Sequence, residues 1–163
     1  MIKYFELQRV SDSFEPELSE AINRVIKSGW YIQGNENAKF ESRFAEYCGA
    51  KYCVGTGNGM DALTLIFMAY QQLGIMQPGD EVIVPANTCI ATIIGVLRAG
   101  LKPILCEPCW DTCNINPEKI EECITSRTRA ILPVHLYGRC ADMDPILAIA
   151  HRYHLKVVED VAQ

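Results

Sequence analysis

No stretch of this chain approaches the roughly 20 consecutive apolar residues that cross a bilayer, so no transmembrane helix is expected. The opening, Met1-Ile2-Lys3, runs into charged, amphipathic sequence instead of an apolar stretch of about 7–15 residues. That argues against a secretory signal and for a cytoplasmic address. Positive charge is scarce as well. The 15 Lys and Arg face 20 Asp and Glu, a net charge of -5 without a basic run, whereas a phosphate-backbone binder gathers its cations on one face. Nucleic acid is therefore a poor partner. No serine sits on a G-x-S-x-G elbow, which leaves a hydrolase without its nucleophile. There is no internal repeat, low-complexity tract or obvious linker.

What remains is ordinary globular material: 163 residues, 49% hydrophobic, enough for a domain with a real core. The eight cysteines are spread through a core-rich sequence and read as reduced thiols rather than as a disulfide scaffold. Apolar periodicity predicts helices over Pro16 to Ser28, with Gly29 at the stop, and Glu36 to Cys48, with Phe40, Phe44 and Tyr47 on one stripe. From Lys51 short apolar runs alternate with helical ones, the order of a parallel sheet with crossover helices. Five strands are expected, at Tyr52–Gly55, Glu81–Val84, Pro103–Cys106, Ala130–Val134 and Lys156–Glu159. Helices are expected at Met60–Leu73, Thr88–Ala99, Pro117–Ile124 and Asp144–His154. Because ligands of parallel α/β sheets sit at the carboxyl ends of strands, a chain that stops at Gln163, just past such an end, is expected to be a fragment.

Three constellations carry chemistry. Gly55-Thr56-Gly57-Asn58-Gly59-Met60-Asp61 joins a predicted strand to a helix whose first N–H groups would point at an anion such as phosphate. The same residues also serve a tight turn capped by Asn58 or Asp61. A dinucleotide fingerprint needs glycine where Met60 stands and an acid where Pro85 and Ala86 stand, and a Walker pattern needs Gly-Lys-Ser/Thr, so neither NAD nor a P-loop fits. Glu159-Asp160-Val161-Ala162-Gln163 places carboxylates at the end of an apolar strand, where a half-desolvated charge calls for a cation such as a protonated ring nitrogen; a surface loop is the plain alternative. Cys106, Cys109 and Cys113 open a zinc-like spacing but lack the second pair of ligands, and no metal is expected. His151 and His154 read as a solvated helix face, and His135 as either a structural or a site residue.

Taken in order, Ser28-Gly29-Trp30-Tyr31-Ile32-Gln33-Gly34, Phe40-Glu41, Gly57-Asn58-Gly59-Met60-Asp61-Ala62-Leu63, Pro78 to Ala86, Val134-His135-Leu136-Tyr137-Gly138 and Glu159 to Gln163 resemble the DegT/DnrJ/EryC1/StrS sugar aminotransferases. These are pyridoxal-phosphate (PLP) enzymes of the aspartate aminotransferase fold. The resemblance implies a three-layer α/β/α arrangement: a helical segment over 1–50, an incomplete PLP-binding large domain over 51–163, and a small C-terminal domain that is absent. It implies that Gly59 and Met60 cup the cofactor phosphate, that Asp160 pairs with the pyridine nitrogen, and that Gln163 hydrogen-bonds the ring oxygen. Trp30, Tyr31 and Gln33 become candidates for the sugar, with simple packing as their other reading.

Two departures stand out. The family places an aromatic residue within Pro-Ala-x-Thr-x-x-Ala-Thr to stack on the ring, where this chain has Cys89. Losing that contact costs about 0.5–1.5 kcal/mol, up to roughly tenfold in cofactor affinity. The cofactor-bonding lysine of the family lies beyond position 163, and none of Lys3, Lys27, Lys39, Lys51, Lys102, Lys119 or Lys156 sits in a matching motif, so no catalytic residue is assigned. The whole enzyme is expected to be a homodimer that transfers an amino group from a donor such as glutamate to a nucleotide-linked keto-deoxysugar, most similar to the dTDP-3-keto-6-deoxyhexose branch. The 163 residues alone are expected to be inactive. A non-catalytic phosphate-binding relic and a zinc domain are the competing readings.

Overall fold

The computed structural model describes residues 3–163. They form two compact units, the first ending at Gly55 and the second running from Thr56 to Gln163.

The first unit is helical: α1 (Leu7–Asp12), α2 (Glu17–Ser28) and α3 (Asn35–Tyr47). Gly29 ends α2 in the left-handed conformation (φ 66°) that its missing Cβ permits, donating its N–H back to Ile26. α1 had no signature in the sequence, being six residues long with no buried residue and no side-chain cap. The strand expected at Tyr52–Gly55 does not form. A strand exists by virtue of a ladder to a neighbour. Here Tyr52 and Val54 are exposed, and the Gly55 N–H donates to the Glu41 carboxylate (2.7 Å) instead of to a strand carbonyl.

The second unit holds four strands, β1 (Glu81–Pro85), β2 (Lys102–Cys106), β3 (Thr128–Ile131) and β4 (Lys156–Val157), all parallel, in the order β2-β1-β3-β4. Central β1 is buried along its whole length. Successive side chains of a strand point to opposite faces, and this alternation builds two cores. On one face Val82, Val84, Ala130 and Leu132 pack with Leu63 and Phe67 of α4 (Gly59–Gln72) and Val96 of α5 (Ile90–Arg98). On the other face Ile83, Cys106 and Ile131 meet Ile120 of α6 (Pro117–Ile120) and Ile146 and Ile149 of α7 (Met143–Arg152). The unit is thus a three-layer α/β/α sandwich. α4 and α5 approach closely at Gly95, where a Cβ would stand 3.0 Å from that of Leu63 and 3.3 Å from the Met60 carbonyl. The Thr64 hydroxyl bonds across that gap to the Gly95 carbonyl (3.2 Å).

β3 and β4 are shorter than expected because Pro133 has no N–H for the ladder. Pairing nevertheless resumes beyond it as a parallel bridge between Val134 and Asp160. No helix of the described residues is long and apolar enough to cross a membrane.

Candidate active site at the strand ends

The chain leaves β1 on one side for β2, then passes back over β1 to place β3 on the other. Such a reversal opens a crevice outside the carboxyl ends of the strands, the place where parallel α/β sheets take ligands. Three segments emerge there: Ala86–Cys89 after β1, Pro133–Gly138 after β3 and Val158–Gln163 after β4.

Asp160 is anchored in the crevice through both its backbone and its side chain. Its backbone is clamped on both sides, with Asp160 N–H donating to Pro133 (2.9 Å) and His135 N–H donating to the Asp160 carbonyl (3.1 Å). Its carboxylate accepts from the Thr92 hydroxyl at Oδ2 (2.8 Å) and from the Ala162 N–H at Oδ1 (3.1 Å). Each carboxylate oxygen has about two acceptor directions, so both keep one to offer. None of the ion pairs among the described residues involves Asp160. A half-buried, oriented carboxylate without a cation is what a positively charged ligand group requires.

The N-terminus of α4 supplies the opposite polarity. Asn58 caps the helix by accepting the Asp61 N–H (2.9 Å), and the Ala62 N–H bonds to the Asn58 carbonyl (3.0 Å). The N–H groups of Gly59 and Met60 meet no acceptor among the described residues. These two donors, backed by the helix dipole, suit an anion. Asp61 would oppose one, but its carboxylate is engaged by the Asn58 amide (2.8 Å) and Arg98 (3.5 Å). The two polarities adjoin: a Cβ on Gly59 would lie 3.9 Å from that of Ala162, two residues past Asp160.

Gln163 accepts the Tyr137 N–H at Oε1 (2.6 Å), which fixes the amide orientation and leaves its NH₂ to donate. Tyr137 holds a left-handed backbone (φ 56°), unusual for a residue with a Cβ. His135 is internally satisfied. Its Nδ1 accepts the Ala141 N–H (3.0 Å), so in the neutral ring Nε2 carries the proton toward Glu159 (2.9 Å). That favours the structural reading of His135. Cys89 is exposed and immediately precedes α5.

Trp30, Tyr31 and Gln33 belong to the first unit, where they line a cleft of about 840 Å³ with Arg24, Lys39 and Arg43. The zinc-like cysteines do not converge. Cys106 is buried, and that burial, with Cys123 beside it, pushes its thiol up to about 12, far from the thiolate a metal needs. Among the described residues no three His, Cys, Asp or Glu side chains form a metal-binding group. Thr92 and Ala162 hydrogen-bond Asp160, and Tyr137 hydrogen-bonds Gln163, contacts to which sequence reasoning assigned no role. Thr92 was visible as the last residue of Pro-Ala-x-Thr-x-x-Ala-Thr, and the two backbone donors left no trace in side-chain chemistry.

A three-layer α/β/α unit on a parallel sheet, with an unpaired carboxylate and open helix-tip N–H groups at its strand ends, has the architecture of part of the large domain of PLP-dependent transferases. The chain belongs to the DegT/DnrJ/EryC1/StrS aminotransferase family, whose model matches residues 12–163. It is 54% identical over its full length to dTDP-3-amino-3,6-dideoxy-alpha-D-galactopyranose transaminase of Aneurinibacillus thermoaerophilus, and spans 44% of that relative. It matches the crystal structure of Streptomyces venezuelae DesV with a TM-score of 0.91 at 44% identity, covering 99% of this chain and 43% of that one. It also matches Bacillus subtilis NtdA, solved with bound cofactor PMP, with a TM-score of 0.86 at 38% identity, covering 98% of this chain and 36% of that one. The chain therefore spans less than half the length of these relatives.

Proposed function

We propose that these residues form the cofactor cradle of a nucleotide-sugar aminotransferase that moves an amino group from glutamate to a dTDP-linked 3-keto-6-deoxyhexose. The observation that carries this reading is the adjacency of a cation-seeking carboxylate, Asp160, and the open N–H groups of Gly59 and Met60 within one crevice. PLP is a ring that takes a proton on nitrogen and carries a phosphate, and the crevice offers each its counterpart. When bound, it supplies an electron-accepting pyridine and a carrier for the amino group.

This chain's own residues bind and orient. Asp160 keeps the ring nitrogen protonated, Gly59 and Met60 hold the phosphate, and the Gln163 amide donates to the ring oxygen. Cys89 stands where an aromatic residue would cover the ring face. Trp30, Tyr31 and Gln33 contact the sugar, and Arg43, the cleft cation outside the ion pairs that Glu36 makes with Arg24 and Lys39, suits a phosphate of the nucleotide. Similarity to the A. thermoaerophilus transaminase supports the dTDP-sugar assignment. In the second unit Lys102 and Lys156 begin β2 and β4, at the amino ends of the strands, and Lys119 pairs with Glu122 on the α6 side. No lysine of that unit therefore reaches the carboxyl-end crevice. The 163 residues alone turn over no substrate, and the full-length protein works as a dimer in the cytoplasm.

Titrating the chain with pyridoxamine 5′-phosphate, which needs no lysine to bind, tests the cradle. Saturable binding that weakens at least about tenfold in Asp160→Ala is expected, as for loss of a charge-assisted hydrogen bond. Absent binding, or equal binding by Asp160→Ala, refutes the reading. Amino transfer from glutamate to a dTDP-keto-sugar by the chain alone would refute its inactivity.

A further inference from the structure

Asp160 is oriented by a side chain from a different element, 68 positions earlier. Thr92 is the third residue of α5 and is 1% exposed. A threonine in a helix commonly turns its hydroxyl back to the carbonyl four residues before. Here the residue four positions back is Thr88, and the partner is its hydroxyl, 2.9 Å away. A carboxylate can only accept, so the Thr92 proton goes to Asp160 Oδ2, and Thr92 Oγ1 can then only accept in its bond with Thr88. The polarity is fixed: Thr88 donates to Thr92, and Thr92 donates to Asp160. Thr88 is itself tied to the end of β1 through its N–H to the Pro85 carbonyl (3.3 Å). The relay therefore runs from the end of one strand, through the first turn of α5, to the end of another.

We propose that Thr92, backed by Thr88, is a positioning residue that locks the Asp160 carboxylate in the rotamer that presents it to a ring nitrogen. Aligned hydroxyls in a half-buried relay polarise one another, which strengthens the Thr92 bond that orients the carboxylate. The Ala162 N–H holds the second oxygen, so removing Thr92 releases one of two tethers. The inference rests on Asp160 facing the cofactor ring, but its mechanical half can be read without cofactor.

The test compares the ligand-free chain with Thr92→Val, Thr92→Ser and Thr88→Val, using NMR three-bond couplings across the Asp160 χ1 angle. A single rotamer is expected in the parent chain and in Thr92→Ser, and rotamer averaging in Thr92→Val, with a smaller loss of order in Thr88→Val. The same set is then loaded with ring-¹⁵N pyridoxamine 5′-phosphate at neutral pH. The ring nitrogen is expected to resonate as protonated in the parent chain and Thr92→Ser, and to move toward neutral pyridine in Thr92→Val, with about tenfold weaker binding. An unchanged Asp160 rotamer in Thr92→Val overturns the proposal, as does a Thr92→Ser variant that behaves like Thr92→Val, which would assign the effect to the methyl. Should Thr92→Val fail to fold, Thr92→Ser and Thr88→Val decide. Ordered couplings that depend on Thr92, with no binding by the parent chain, would uphold the positioning and refute the cofactor reading alone.

Discussion

The two units of the chain are written in the same apolar alphabet but use it differently. In the second unit Phe67, Val82, Ile83, Val84, Ile131, Leu132 and Ile146 are completely buried, on two faces of one sheet. In the first unit Ala45 is the one buried residue among those described, while Leu18, Ile22 and Ile26, a stripe at helical spacing on α2, stay exposed. Phe40 and Phe44 of α3 are exposed too, stacked on each other at 5.4 Å. Periodicity marks which face of a helix is apolar; it does not say whether anything covers that face. Stability should therefore reside in the second unit, and single substitutions can break or sharpen that contrast.

The largest effect is expected at Phe67, where Phe67→Ala empties a filled core site at a cost of about 3–5 kcal/mol. Ile26→Ala removes a side chain that is 59% exposed and should change stability by no more than about 0.5 kcal/mol. Urea denaturation of the two variants and the parent chain measures both. If Ile26→Ala costs as much as Phe67→Ala, the α2 stripe is covered in solution and the contrast fails.

The same asymmetry explains how much was legible beforehand. Strands β1 and β2, helices α4, α5 and α7, and the parallel order of the second unit followed from apolar runs and their spacing, because there the pattern and the burial agree. Tyr52–Gly55 carries the alternation of a strand, yet pattern alone cannot supply the neighbour that completes a ladder. In the crevice Asp160 stood out as an acid after an apolar strand, and Gly59 and Met60 as a strand-to-helix turn. Their adjacency is a property of the sheet order, and no local pattern encodes it. Thr92 escaped notice because a buried threonine and a functional one read identically until the acceptor 68 residues away is in view.

A middle-sized effect is expected at the helix tip. α4 and α6 of the second unit start with side-chain caps from Asn58 and Asn116, whereas α1, α2 and α3 have none. Asn58→Ala removes the acceptor for the Asp61 N–H and should lower stability by about 1 kcal/mol. It also frees Asp61 from the amide that holds it, so pyridoxamine 5′-phosphate affinity should fall as well. Asn116→Ala should lower stability alike and leave that affinity unchanged. Denaturation and ligand titration of both variants separate the cap from the cradle, and equal affinity losses would show that the α4 tip has no special part in binding.

The smallest effect is electrostatic and contrasts one carboxylate from each unit. Glu81, buried at the start of β1, is held below the usual carboxylate range chiefly by the Thr125 hydroxyl, with Lys102 (3.1 Å) assisting. Glu36, on the surface of α3, is lowered to about 2 by its bonds from Arg24 (2.9 Å) and Lys39 (3.0 Å). Both groups bind a proton less readily folded than unfolded. Their contributions are thus complete above the unfolded value near 4.5 and drain away as pH falls, for Glu36 through about 2. Solvent and salt screen the exposed pairs around Glu36, so the lowered pKa overstates what it gives to stability. Glu81 is itself buried, so neutralising it weakens bonds made by a carboxylate held out of water, although Thr125 and Lys102 on the other side reach solvent. Stability measured between pH 2 and 6 should therefore fall less steeply with acid in Glu81→Gln than in the parent chain. Glu36→Gln should differ from the parent only slightly, and only at low salt. A flattened acid limb in Glu36→Gln that survives high salt would mean that the first unit, too, holds its charges out of water.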